Sequence, residues 1–433
     1  MFGFANALLL ALFAAAAVDL IFALRAQKSL RPAVTGLWRQ EHLLFGTWGR
    51  LWRERAGAAL FAVGLAAYEV SVVFCNSMAR DTWPWVQGAL APLLDWLAFL
   101  CFGVKILLGT KYTWRALGVA GCLYFIARWT YFNSQNIWWI GLVAAVLAAK
   151  DVALQKPLRA YLYSGAAAMA LVVGLHFAGI VAPELTSERH GILRGTYGYG
   201  HPNTFGGLVL GLALAYALLR AKKPRWADVA VLAGVGVFLL VGPASRSAAL
   251  SVLLLAVLLA VCILRKNHKP AKRLPVFAAA LVPVVGAASY LIPLLLYKNG
   301  PGNADFGPAL LGRLDDLLTN RLSLSWTAYR VIDLKIAGQV LEPWPPLDNS
   351  FVFALYQLGP VVAVLLAVLL AVALWGCARQ GRRVEVCCLV VMLLYSFMEC
   401  QVFHLTSNPA ALLLCGAVFA LPPARWPGLQ KDL

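Results

Sequence analysis

The run from Ala248 to Leu264, Ala-Ala-Leu-Ser-Val-Leu-Leu-Leu-Ala-Val-Leu-Leu-Ala-Val-Cys-Ile-Leu, carries no charge, and Arg265-Lys-Asn-His-Lys-Pro-Ala-Lys-Arg273 follows it at once. At about 1.5 Å of rise per residue, such a run wound as a helix spans close to the thickness of a bilayer's hydrocarbon core. An uncharged run that stops at a cluster of cations is a membrane helix with its inner end marked. The same pattern repeats along the chain.

Of 433 residues, 61% are hydrophobic and 13% charged, too apolar a balance for a soluble protein of this length to hide. The apolar blocks run to roughly 17–25 residues, and we count about thirteen. They lie near Phe2 to Leu24, Gly57 to Cys75, Ala89 to Leu108, Ala116 to Phe132 and Ile137 to Ala149. The next lie near Tyr161 to Val181, Thr204 to Leu219, Val229 to Val241 and Ala248 to Leu264. The last are Leu274 to Tyr297, Phe351 to Trp375, Val386 to Leu405 and Ala410 to Leu421. The expected fold is therefore an all-α polytopic integral membrane protein, with residues 1–433 as one transmembrane domain. The first block lacks a basic leader and reads as a span rather than a cleaved signal.

The net charge of +18 sits in connections: Arg25 to Arg55, Arg220 to Arg225, Arg265 to Arg273 and Arg379 to Arg383. These alternate with less basic connections, which is the positive-inside pattern and not the footprint of a nucleic-acid binder. Such cations meet anionic lipid heads. The alternation puts the amino terminus outside and the carboxyl terminus in the cytoplasm, and the expected location is the plasma membrane. Nine cysteines show neither metal spacing nor a disulfide framework and read as small packing residues.

Two connections have structure of their own. Residues 25–56 mix Arg with Trp38, Trp48 and Trp52, as a cytoplasmic interfacial helix does. Residues 298–350 form an outside loop far longer than a turn. Within it Leu318, Leu322, Trp326, Tyr329, Ile332 and Ile336 recur at helical steps, predicting an amphipathic helix on the outer membrane surface. Pro343, Pro345 and Pro346 end that pattern.

Outside-facing polar residues mark where chemistry can occur. In Gly198-Tyr-Gly-His-Pro-Asn203, His201 is either a proton acceptor or phosphate donor, or merely interfacial beside a cap at Asn203. Arg189 and Arg194 lie close by. In Gly242-Pro-Ala-Ser-Arg-Ser247, Arg246 coincides with a helix start, a pairing that suits phosphate oxygens. Arg321 and Arg330 fall on roughly opposite faces of the loop helix, so one of them faces solvent. Asp348 and Asn349 stand just before a span, where Asp348 is either a base or orienting group for a hydroxyl, or an ordinary helix cap. Asp19, Glu69, Asp95, Lys105, Arg128 and Glu399 lie within spans, where each costs about 2.5–3.5 kcal/mol against lipid. Together they predict an internal polar cavity, with Arg128 in a pocket beside Trp129 and Tyr131, and Glu399 near His404. No nucleotide loop and no zinc helix is present.

Arg194-Gly-Thr-Tyr-Gly-Tyr-Gly-His-Pro-Asn-Thr-Phe-Gly206, Ser245-Arg-Ser247, Asn320-Arg-Leu322 leading to Tyr329, and Leu347-Asp-Asn-Ser-Phe351 with Gly359 resemble, in that order, the pattern of Gram-positive Wzy-type polysaccharide polymerases. These are polytopic proteins related to O-antigen ligases. The resemblance covers the second half of the chain; the first half matches only as a bundle of spans. Phe351 departs from it, standing where a Tyr is expected. The resemblance implies a GT-C-like glycosyltransferase with no cofactor and no metal. A polyprenyl-diphosphate-linked oligosaccharide donor passes its glycan to a lipid-linked acceptor, and polyprenyl diphosphate leaves. By the same resemblance, Arg194, His201 and Asn203 are loop motif positions, Arg246 and Arg321 bind diphosphate, and Asp348 lies on the acceptor side, with His201 or Asp348 as base. Arg128, Arg330, Asn349, Glu399 and His404 complete the candidate substrate-binding set. Membrane lipid is a partner, and a flippase and a chain-length regulator are further candidate partners; nucleic acid is not.

A ligase that hands finished glycan to another acceptor would share this site. A transporter of lipid-linked sugar would also suit midplane charges and the possible breaks at Pro283, Pro293 and Gly359-Pro360. That class predicts inverted repeats, and none is visible in the sequence.

Overall fold

In the computed structural model the described residues are 2–27, 29–43, 56–181, 187–189, 192–268, 271–296, 313, 315–316, 318, 320–341 and 346–419. The architecture is all-α. Its first half holds α1 (Phe2–Gln27), α2 (Leu30–Arg39), α3 (Gly57–Cys75), α4 (Ala91–Leu108), α5 (Trp114–Ser134), α6 (Ile137–Ala148) and α7 (Gln155–Phe177). Two short antiparallel pairings join β1 (His42–Leu43) to β2 (Lys111–Tyr112), and β3 (Ser187–Arg189) to β4 (Ile192–Arg194). The second half holds α8 (Pro202–Arg220), α9 (Trp226–Val241), α10 (Arg246–Leu264), α11 (Leu274–Leu296), α12 (Arg321–Val331), α13 (Pro360–Arg379) and α14 (Arg383–Tyr395). One core runs through the bundle, with α3 against α4 and α7, α9 against α10, α11 against α13, and α10 against α14.

Among the described residues, eight helices are long and apolar enough to cross a membrane: α1, α3, α4 with the turn before it, α7, α8, α10, α11 and α13. Three further apolar helices, at Ile137–Ala148, Trp226–Val241 and Pro409–Phe419, are shorter. The helix α5 is long enough, but Arg115, Arg128 and its polar aromatics make it less apolar than the eight.

The differences from the expected spans have local causes. The run from Phe351 is not one helix. Ser350–Phe353 and a wide turn at Ala354–Leu358 come first, Gly359 turns with φ +87°, and α13 starts at Pro360. Gly359 reaches a left-handed backbone that a side chain disfavours, and Pro360 lacks the N–H to continue the preceding helix. By contrast α11 runs through both Pro283 and Pro293. The run Val386 to Leu405 also breaks: α14 ends at Tyr395, Glu399 is extended, and a short 3-10 turn covers Cys400–Phe403.

Irregular backbone is tolerated at membrane depth only where its polar groups find partners in the protein. They do here. The Ser396 carbonyl accepts from the Ser350 N–H at 2.8 Å, and the Glu399 carbonyl from the Ser350 hydroxyl at 2.5 Å. The Phe397 carbonyl accepts from Asn349 Nδ2 at 3.2 Å, and the Val402 carbonyl from Asn408 Nδ2 at 2.8 Å. Tyr161 OH donates to the Thr406 carbonyl.

Both predicted surface helices exist, and both dock on protein. In α2, Ala33 and Leu37 are buried and the helix packs on α1 and α5. In α12, Leu322, Ser325 and Ala328 are buried and the helix lies on α11. The helix stops at Val331, so Ile336 lies beyond it and is exposed. Trp48, Trp52, Pro343 and Pro345 lie outside the described residues.

Candidate functional site

The Gly-rich turn before α8 is pinned from both sides. Tyr197 and Gly198 take positive φ, +52° and +84°. The Gly198 carbonyl accepts from the Met78 N–H at 2.8 Å, and Tyr199 bridges Ser77. Tyr197 sits among Phe177, Phe205 and Phe238. The turn therefore delivers Arg194, His201 and Asn203 at a set place. Gly206 and Gly207 extend that place into α8, because a Cβ at Gly206 would overlap the Ser245 hydroxyl and one at Gly207 the Gln401 side chain. Their missing side chains let the start of α10 and the broken segment after α14 lie against α8.

Glu399 is the hub. It is buried, and its Oε1 accepts from Arg321 Nη2 at 2.6 Å, Ser247 Oγ at 2.7 Å and Asn203 Nδ2 at 3.0 Å. Asn203 Oδ1 in turn accepts from Arg194 Nη2 at 2.9 Å and from Ser245 Oγ at 3.4 Å. Arg321 also reaches Asp348, Nε to Oδ2 at 3.1 Å. Five segments separated in sequence, those of Asn203, Ser247, Arg321, Asp348 and Glu399, are tied by one chain of hydrogen bonds, most of them charge-assisted. Burial by itself lowers the Arg321 pKa, but the Glu399 and Asp348 carboxylates outweigh it and raise the group above its ordinary value. The guanidinium is charged and already answered by two carboxylates.

Asp315, shortly before α12, accepts from the Leu322 and Ser323 N–H groups at 2.8 and 3.2 Å. It caps α12 from outside the helix and so aims Arg321 at the hub. On the other side of α12, Tyr329 OH donates to the Ser289 carbonyl at 2.7 Å, and its ring stacks on Tyr290 at 4.9 Å.

Which residue caps which helix differs from expectation. His201, not Asn203, caps α8: its Nδ1 accepts from the Asn203 N–H at 3.1 Å. A neutral ring that accepts at Nδ1 carries its proton on Nε2. Desolvation of the inner ring edge, and then the nearby Arg194 guanidinium, hold the imidazole below its ordinary pKa, although the residue as a whole is exposed. His201 therefore presents a neutral N–H donor and has no free lone pair for a proton. Asn349, not Asp348, caps the helix after it, accepting from the N–H groups of Phe351 and Val352 at 2.9 and 3.2 Å. Its Nδ2 is spent on Ser289 Oγ at 2.9 Å and on the Phe397 carbonyl, so Asn349 is a buried clamp rather than a substrate group. Asp348 is left partly exposed, with Oδ2 on Arg321 and no hydrogen bond to Oδ1 among the described residues.

Arg246 opens α10 between two residues of the network, Ser245 and Ser247. It is exposed, and among the described residues its guanidinium makes no hydrogen bond or ion pair. It is a cation at the cluster's edge with no carboxylate of its own.

Other expected members lie elsewhere. Arg330 points to the opposite face of α12, exposed over the Trp326 ring at 5.1 Å. His404 stacks on Trp138 at 4.7 Å and makes no bond to Glu399. Arg128 sits half-buried on α5, beside Tyr124, and none of the hub's hydrogen bonds reaches it. The side chain of Arg189 is outside the described residues. The charges within spans do not share one cavity. Asp19 meets His42 at 3.0 Å, Lys105 meets Thr110 at 2.8 Å, and Glu69 is buried between α3 and α7 against Gly165, with no hydrogen-bond partner among the described residues. Ser247, Ser245, Ser350 and Asp315 were not singled out from sequence as site residues. Small hydroxyls at helix starts are ordinary caps, and only the fold shows what they donate to.

Around the cluster, Arg246 is an exposed cation, His201 Nε2 a hydrogen-bond donor and Asp348 Oδ1 an acceptor with no hydrogen bond among the described residues. Chain-wide comparison gives no relative to set beside this geometry: no family model, no curated protein and no solved structure matches the chain.

Proposed function

We propose that the protein is a glycosyltransferase of the polysaccharide-polymerase type. It joins polyprenyl-diphosphate-linked oligosaccharide units into capsular or exopolysaccharide at the outer face of the plasma membrane. The observation that carries this reading is the hub at Glu399. It unites the four stretches on which the resemblance to Wzy-type polymerases rests, those around Arg194–Asn203, Ser245–Ser247, Arg321 and Asp348. A thirteen-span topology and a GT-C-like class belong to the same proposal.

In this reading the donor diphosphate lies against Arg246, with Arg194 behind it and the His201 N–H donating to an oxygen. Charge develops on the departing diphosphate, so preorganised cations and donors there lower the barrier most. The acceptor hydroxyl donates to Asp348 Oδ1, whose other oxygen is held by Arg321. The acceptor oxygen bonds to the anomeric carbon, the carbon–diphosphate bond breaks, and the hydroxyl proton passes to Asp348 and on to water. Asp348 is preferred over His201 as base because the Nδ1 lone pair of His201 caps α8. Arg321 acts as a positioning residue: it sets Asp348 and braces Glu399.

The test is glycan synthesis by purified protein supplied with a lipid-linked repeat unit and resolved on a gel. A ladder spaced by one repeat supports a polymerase. A single transfer to a foreign acceptor supports a ligase, and substrate recovered unchanged with a cognate unit removes the enzyme reading.

A further inference from the structure

Three helices that begin or end at the polar cluster have their other ends together. The helices α8 and α10 run away from it for 19 residues each, about 28 Å at the α-helical rise, and α14 starts where they finish. There the connections Ala221–Arg225, Arg265–Lys266 and Gly381–Arg383 enclose a cleft of about 730 Å³. Six cations line it, Lys222, Lys223, Arg225, Lys266, Arg382 and Arg383, against the one carboxylate of Glu385.

Two of these cations already have structural work. Arg383 donates to the carbonyls of Arg265 and His268, strapping two connections together, and Arg382 pairs with Glu385 at 3.1 Å. Lys222, Lys223 and Lys266 are exposed, and among the described residues their side chains have no hydrogen bond or ion pair. Like charges gathered on one concave wall repel one another unless an anion sits between them.

A second, mostly apolar hollow of about 300 Å³ adjoins the cleft and shares Cys262, Gly381 and Arg383 with it. Leu258, Val261, Val386 and Val390 form its apolar sides, between α10 and α14. A cationic recess beside an apolar groove between helices matches one kind of molecule, with a charged head and a hydrocarbon tail. We propose that this is a binding site for an anionic phospholipid of the leaflet opposite the cluster, its phosphate held by Lys222, Lys223 and Lys266 and an acyl chain laid along Val261 and Val390. Cytoplasmic-leaflet lipid is the expected occupant, since the connections that form the cleft are the basic ones. The inference stands apart from whatever the outer cluster does.

The experiment is native mass spectrometry of the full chain, stripped of lipid in detergent and titrated with dioleoyl phosphatidylglycerol, dioleoyl phosphatidylcholine or glycerol phosphate. Phosphatidylglycerol should be retained at least about tenfold more strongly than phosphatidylcholine. The triple variant Lys222→Ala, Lys223→Ala, Lys266→Ala should lose that preference, with thermal stability in lipid-free detergent unchanged. Val261→Trp, at an exposed position, should fill the groove and weaken phosphatidylglycerol binding with all three lysines intact. Equal retention of the two lipids would overturn the proposal, as would undiminished phosphatidylglycerol binding in either variant. Competition by glycerol phosphate at the concentration effective for the diacyl lipid would also overturn it, by showing a site for a free anion.

Discussion

The helices α8, α10 and α14 join two polar regions built from the same residue types and treated in opposite ways. At one end Arg321 is half-buried, faces Asp348 and the buried Glu399 carboxylate, and is held by geometry as much as by charge. At the other end Lys222, Lys223 and Lys266 stay exposed in a cleft, without a side-chain partner among the described residues. A buried cation that loses its counterion leaves an uncompensated charge in a poor solvent, whereas an exposed one stays hydrated. Substitutions at the first end should therefore move stability and activity together. At the second they should move only what binds there.

The largest effect is expected at Arg321. Arg321→Ala strands Glu399, and breaking a buried pair in this way costs about 3–5 kcal/mol. Polymer synthesis should fall by at least about a hundredfold. The double variant Arg321→Ala, Glu399→Gln should regain much of the stability and none of the activity. Thermal unfolding in detergent and gel-resolved products read the two quantities separately. A single variant that unfolds normally would dissolve the contrast between the two ends.

Arg246→Ala separates what Arg321→Ala joins. Its guanidinium makes no bond within the described residues, so the melting temperature should hold while synthesis drops by about 10²–10³-fold. Near-normal polymer from a stable Arg246→Ala protein would remove the diphosphate site from this edge.

A pH series sharpens the assignment of His201. Its pKa in the fold lies below the ordinary 6.5, so the neutral ring persists as pH falls through that value. The rate should therefore show no histidine step at pH 6.5. Because protonation is disfavoured in the fold, any stability His201 contributes is present above its unfolded pKa and fades at lower pH, as the charged ring loses the Nδ1 acceptor that caps α8. A rate step at 6.5 that disappears in His201→Asn, which keeps a capping oxygen, would restore His201 as the base.

The smallest effects are expected from charges the hub leaves out. Arg330→Ala should change synthesis by less than about twofold, since the side chain lies exposed over Trp326. Glu69→Gln should unfold close to the parent temperature, because no donor among the described residues depends on the Glu69 carboxylate. A large loss in either would place chemistry outside the cluster.

Reading the sequence located most of the apolar helix runs, the Gly-rich turn and the two helix starts beside Arg246 and Asp348. Those features are local: hydropathy, charge placement and the chemistry of Gly and Pro act over a few residues, so they show in order along the chain. Gly359-Pro360 was legible as a break for that reason, while Pro283 and Pro293 proved compatible with a continuous helix. Glu399 was legible as a charge that needed a partner and as a substrate-binding candidate near His404, not as a hub. Its partners lie 196, 152 and 78 residues away, and no local pattern names them. The same limit hid the exchange of roles between neighbours, with His201 capping in place of Asn203 and Asn349 in place of Asp348. Both candidates in each pair can cap, and only the packing of the rest of the chain decides which side chain is free to turn inward. Sequence alone thus determined that this is a bundle of apolar helices with cations in its connections, because the bilayer acts on each segment separately. Tertiary structure alone decided which charges meet, because a buried carboxylate is satisfied by whatever donors the fold brings to it, at any distance along the chain.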